Sequence, residues 1–265
     1  MTEILTPSPH DAADEAAPVQ PYVQRTLTHK ALHFSIHEIQ SSMDVRAPHA
    51  LDLDYTRTMM AFLLFLQQPR HILMIGLGGG SLAKFCHHHL PRTVITAVEI
   101  NPHVVALRDE FLIPPDGSRF KVIVGDGARH LRDDPEVCDV LMVDGFDDQG
   151  QPEALCTQAF YDLARERLRP GGMLVVNLHY GHPEHRRHVA RIRRAFGGQA
   201  LVVDDAECCN TVVFACKGER LTGVRRDDLR PARSLRRDAR GQLAEAFALV
   251  TDAWTQQIGS APATP

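Results

Sequence analysis

The chain has 265 residues, 44% of them hydrophobic, and balances 29 Lys+Arg against 33 Asp+Glu for a formal net charge of −4. That is enough apolar material for a real core in one α/β unit with additions at its ends, or in one large and one small domain. It excludes the basic balance of a general nucleic-acid binder, and no apolar run reaches the roughly 18 residues of a membrane span.

Residues 1–20 are acidic and rich in Ala and Pro, without the basic start and apolar stretch of a signal peptide, and read as a disordered tail. The six cysteines (86, 138, 156, 208, 209 and 216) form no Cys-x-x-Cys pair. They suit reduced, mostly buried thiols in a cytoplasmic protein. Residues 21–54 form a small N-terminal β-region, with strands expected over 25–28 and 31–36 and a further short strand within 43–53. A helix with a heavy apolar face is expected over 55–66.

From His71 the pattern repeats. Strands are expected over 72–75, 94–98, 121–124, 140–143 and 173–178. Helices are expected over 81–89, 102–111, 128–132 and 157–168, the last closed by Arg169-Pro170-Gly171-Gly172. A His- and Arg-rich helix (183–196) and strands over 200–203 and 211–216 follow. The wholly apolar strands alternating with helices predict an α/β fold, a Rossmann-like parallel sheet with helices on both faces, spanning 55–218. Residues 219–265 form a C-terminal extension, charged and loop-like to about 240 and then an amphipathic helix over 243–254.

Gly76-Leu77-Gly78-Gly79-Gly80 follows an apolar strand and opens a helix, so its backbone can turn sharply and approach a ligand. Such a loop alone serves dinucleotide, nucleotide and adenosylmethionine sites equally. Glu99, at the carboxyl end of the second strand, can accept hydrogen bonds from ribose hydroxyls. Gly125-Asp126-Gly127 ends the third strand, where Asp126 can accept from an adenine amino group or simply cap the next helix. These acids stand where open α/β sheets bind ligands. Asp144 ends the fourth strand and Asp147 lies three residues on. Paired carboxylates there suit a reaction in which an amine is held, deprotonated and aimed at an electrophilic carbon.

Together these stretches resemble the spermidine synthase (polyamine aminopropyltransferase) family: Leu-Met-Ile-Gly-Leu-Gly-Gly-Gly-Ser (73–81), Ala-Val-Glu-Ile-Asn-Pro (97–102), Val-Gly-Asp-Gly-Ala (124–128) and Val-Asp-Gly-Phe-Asp (143–147). Pro-Gly-Gly-Met-Leu (170–174) is shared more widely with methyltransferases. The resemblance implies a methyltransferase-type sheet behind a small N-terminal β-region. It implies a nucleoside site of Gly76, Gly78, Gly80, Glu99, Asp126 and Gly127, with Gln40 near the nucleoside. Asp144 would activate the amine, with Asp147 its companion. The implied donor is decarboxylated S-adenosylmethionine, the implied acceptor a small polyamine, and no metal is expected. The family's glycine loop carries an Asp where Gly79 stands, so S-adenosylmethionine itself is the alternative donor, in a methyltransferase; a nucleoside-binding protein without turnover is a third reading. Arg57 stands near a Tyr-Gln pair of the family, beside Tyr55. A homodimer is compatible with the terminal segments.

Three histidine groups lie outside this scheme. His179, His182, His185 and His188 recur at three-residue spacing among arginines and read as a solvated basic face rather than a metal set. His29, His33 and His37 read likewise. His87-His88-His89 end a helix, where the dipole favours imidazolium.

Overall fold

The structure, a computed structural model, describes residues 18–35, 39–146, 150–205 and 209–259. A small antiparallel sheet comes first: β1 (Tyr22–Arg25), β2 (His29–His33) and β3 (Ile39–Asp44), with β2 in the middle. Residues 26–28, expected in a strand, are instead the turn. The Thr26 hydroxyl accepts the backbone N–H groups of Thr28 and His29, and Leu27 is left 99% exposed. The third strand lies earlier than the expected 43–53, because the Asp44 carboxylate accepts the Arg46 N–H and starts a turn.

The main sheet has seven strands: β4 (His71–Ile75), β5 (Val94–Glu99), β6 (Phe120–Val124), β7 (Cys138–Val143), β8 (Leu168–His179), β9 (Ala200–Asp204) and β10 (Asn210–Cys216). Their order is β6-β5-β4-β7-β8-β10-β9. The first five run parallel, while β10 is antiparallel to both β8 and β9. The expected parallel sheet is therefore mixed at one edge. Only five residues separate β9 from β10, which permits a hairpin but not the longer crossover that parallel neighbours need.

Eight helices complete the described chain: α1 (Asp54–Met60), α2 (Ser81–His89), α3 (Pro102–Ala106), α4 (Gly127–Asp133), α5 (Gln158–Arg167), α6 (His185–Ala195), α7 (Arg237–Gln242) and α8 (Ala244–Gln257). Strand alternation sorts the apolar side chains into two cores. Ile72, Met74, Val140, Met142 and Val175 face α1, α2 and α8 on one side. Leu73, Ile75, Leu141, Val143 and Val176 face α5 and α6 on the other.

Several boundaries move. The helix expected over 55–66 is α1 followed by a 3₁₀ turn at Ala61–Leu64, four residues buried on every side. The helix expected over 102–111 ends at Ala106. Beyond it the chain turns, with Leu112 at φ 55°, so that Phe111 enters the core while Glu110 reaches Arg25 and Lys30 on the small sheet. Arg169–Gly172 do not close a helix but bulge within β8: Leu168 pairs with Cys138 and Met173 with Val140, so the extra residues face a single partner position. The stretch over 218–240 carries a 3₁₀ turn (Arg226–Asp228) and the start of α7. No helix among the described residues is long and apolar enough to cross a membrane.

Candidate functional site

The carboxyl ends of β4 to β7 open on one cavity of about 410 Å³, a volume suited to a small-molecule ligand. Gly76, Leu77 and Gly78 form one wall. Gly76 has φ 95°, and a Cβ there would stand 2.2 Å from the Asp144 carbonyl oxygen, so a side chain at this position would strike the protein's own backbone. Gly80 lies outside the lining. It precedes α2 in a left-handed conformation and packs against Ile113.

Glu99 is 7% exposed at the end of β5 and lines the cavity. Its two oxygens accept the backbone N–H groups of Leu77 (2.8 Å) and Asn101 (2.9 Å), which fixes the carboxylate against the glycine loop. Each oxygen keeps a second lone pair for a ligand hydroxyl. Asp126 is exposed at the cavity rim. Its Oδ1 caps α4 through Ala128 (2.7 Å) and Arg129 (3.0 Å), so the capping role is real and occupies one of the two oxygens. Gly127, the first residue of α4, also lines the cavity and lies against Ile75. Gln40, on β3, lines the opposite wall, and Pro18 and Val19 border it too. The Val19 carbonyl accepts from Asn101 Nδ2 at 2.8 Å, so the end of the segment expected as tail rests beside the site.

Asp144 stands at the end of β7. Tyr55 of α1 donates its hydroxyl to Asp144 Oδ2 at 3.2 Å, and Asn177 of β8 donates Nδ2 to Oδ1 at 2.9 Å. Burial pushes the Asp144 carboxyl above the usual range. The bonds from Asn177 and Tyr55 pull it back, and the nearby Glu99 charge pushes it up again. Burial, with the Asp144 charge and hydrogen bond, raises the Tyr55 phenol well above 10, so it remains a donor. Asp147 lies outside the described residues.

Sequence reasoning missed two features. Asn177 shows there only as a lone polar residue inside the apolar run of β8. Ile100 lines the cavity at 61% exposure, an apolar side chain offered to a ligand face directly after Glu99. Arg57, read beside Tyr55, turns away. It donates to the Leu51 and Asp52 carbonyls and pairs with Asp54.

The strand order, the reversed β10 and the glycine loop after the first strand of the large sheet define a Rossmann-like, methyltransferase-type α/β protein. Residues 53–209 match the spermine/spermidine synthase domain. A polyamine aminopropyltransferase of Chromobacterium violaceum is 38% identical over 187 residues, which cover 70% of this chain and 72% of that protein. The chain belongs to the spermine/spermidine synthase family. Among solved structures, a spermidine synthase in complex with the transition-state analogue AdoDATO superposes with a TM-score of 0.59 at 16% identity, covering 90% of this chain and 87% of that one. Human methyltransferase-like protein 13 in complex with SAH gives 0.58 at 23% identity over 80% and 95%. These two likenesses concern the fold.

Proposed function

We propose that this chain is an aminopropyltransferase that moves an aminopropyl group from decarboxylated S-adenosylmethionine to a small polyamine. The observation that carries the reading is the half-buried Asp144 carboxylate, held by Tyr55 and Asn177 in the wall of the cavity that also contains Glu99. Family membership and the named activity of the Chromobacterium relative support the reaction class.

In this reading Glu99 accepts the ribose hydroxyls, and the second oxygen of Asp126 accepts the adenine amino group. Ile100 lies against the base, and the backbone at Gly76 to Gly78 admits the rest of the donor. The acceptor enters as an ammonium drawn to Asp144. Asp144 takes its proton, and the neutral nitrogen attacks the methylene carbon next to the sulfonium. The new C–N bond forms as the C–S bond breaks, the electron pair returns to sulfur, and methylthioadenosine leaves. A carboxylate whose proton affinity is raised by burial is a better base than a solvated one. The donor's own positive sulfur is the electrophilic activation. The buried free thiols of Cys86, Cys138, Cys156 and Cys216 support a reducing, cytoplasmic setting.

One observation favours a second reading, methyl transfer from S-adenosylmethionine. A Cβ at Gly79 would stand 2.7 Å from Ser41 Oγ and 2.9 Å from the Phe111 ring, so these side chains occupy the space of a side chain there and the loop offers no carboxylate at that point to meet an aminopropyl ammonium. Incubation of the pure protein with each donor and a mixture of polyamines, followed by mass spectrometry, decides between them. Methylthioadenosine with an acceptor heavier by one aminopropyl group is expected. S-adenosylhomocysteine would establish the second reading, and neither product would overturn both.

A further inference from the structure

The histidines at the end of α2 face the C-terminal extension, away from the nucleoside cavity. One ring nitrogen each of His88 and His89 and one carboxylate oxygen of Asp238, from α7, lie within 4.8 Å of one another. His89 is 3% exposed, and its Nδ1 is buried with no hydrogen-bond partner. That nitrogen lies 3.9 Å from Asp238 Oδ1, too far for a hydrogen bond and close enough for one ion to touch both. The two imidazoles stand perpendicular with centroids 4.6 Å apart. His49, from the turn after β3, stacks flat on His88 at 4.3 Å. An orphaned, buried imidazole nitrogen costs free energy unless something meets it.

We propose that His88, His89 and Asp238 bind a divalent transition-metal ion, zinc being the fitting choice. Two imidazoles and one carboxylate are a borderline donor set. They suit zinc, cobalt or nickel, whereas magnesium and calcium require oxygen ligands. Tetrahedral bonds of about 2.0–2.2 Å need ligand atoms about 3.4 Å apart. The 3.9 Å between His89 Nδ1 and Asp238 Oδ1 closes by movement of Asp238, whose side chain is 54% exposed, and a change of rotamer at His88 brings in the third ligand. A water completes the fourth position. Arg236 competes for the same lone pairs: its Nη1 lies 3.4 Å from His88 Nε2 and its Nε 3.9 Å from Asp238 Oδ1. Its side chain is 58% exposed and can swing into solvent as the ion enters. None of the three ligands lines the nucleoside cavity, so the ion plays no part in the transfer step. It clamps α7 to the end of the helix that begins at the glycine loop.

The test uses the full chain stripped of metal with a chelator. Titration with Zn²⁺ by calorimetry, and with Co²⁺ followed by visible absorption, is expected to show one tight equivalent, the d–d band of four-coordinate cobalt, and a raised melting temperature. Asp238→Asn and His88→Gln change accessible groups and should each weaken that equivalent by roughly tenfold to a hundredfold and abolish the thermal shift. Arg236→Ala should tighten it. Absence of a tight equivalent, or one unchanged in both ligand variants and held elsewhere on this histidine-rich chain, would overturn the proposal. So would weaker binding in Arg236→Ala.

Discussion

Asp144 shows how local packing makes a chemical group out of a common residue. In the sequence it is one acid of a short acidic run. In the fold, β7 delivers it to the cavity wall, while Tyr55 and Asn177 arrive from α1 and β8 and occupy one oxygen each. In the proposed reaction, changing Asp144→Asn retains the shape and removes the base. We expect turnover to fall by at least about a thousandfold, at the scale of a lost general base. The dissociation constant for the donor should stay within about threefold, because the contacts proposed for Glu99 and the glycine loop are untouched. Steady-state rates together with calorimetric titration of donor check both halves. Glu99 was legible from its position at a strand end. Its two backbone partners were not, because they depend on how the glycine loop folds back.

At the scale of elements, α2 carries a residue whose burial sequence reading does not reveal. Lys84 is 1% exposed, and its ammonium donates to the Phe111 carbonyl at 2.8 Å. Burial lowers its pKa from 10.5 to about 8, with the Lys30 charge adding to the effect. The native state thus gives up this proton before the unfolded chain does. Stability rises as pH climbs from about 8 to 10.5 and is correspondingly lower, by a constant amount, below about 8. Relative to Lys84→Met, the wild type should gain roughly 3 kcal/mol across that window, at about 1.36 kcal/mol per pH unit. Urea unfolding at the two ends of the window measures it, and parallel stability curves for the two proteins would refute it. The same helix corrects the dipole argument for its last turn. Burial lowers the pKa of both His87 and His89, the latter to about 4, so desolvation outweighs the favourable helix end. The central strands β4 and β7 were legible because both faces are covered and their sequences are almost continuously apolar. The short α3 and the bulge at Arg169–Gly172 were not. The first is set by the tie of Glu110 to Arg25 and Lys30, the second by pairing with β7, and both are long-range effects.

Across the whole molecule, the C-terminal extension completes one of the two cores. Leu229, Leu235, Leu243, Val250 and Trp254 join the cluster that contains β4 and α1. Trp254 is 4% exposed, and its indole N–H donates to the Leu221 carbonyl at 2.7 Å. Replacing it, Trp254→Ala, should destabilise the entire chain by about 3–5 kcal/mol, as for a large buried aromatic. Thermal melting should remain one transition at a lower temperature. An unchanged midpoint would show that the extension does not support the core. The helical spacing of Phe247, Val250 and Trp254 already marked a docking face, but the surface it covers became visible only when the sheet was assembled.

The close approach of Gly76 to the Asp144 carbonyl carries a consequence for inheritance. The glycine loop and the end of β7, two walls of the cavity, touch through backbone, with no room for a Cβ between them. Neither can drift alone, and a chimera that takes its glycine loop from one relative and its β7 terminus from another brings together two backbones never fitted to each other. Substitutions that reshape the cavity without disturbing this seam are open to the side chains that line it from elsewhere, such as Gln40 on β3, Pro152 and Ala154.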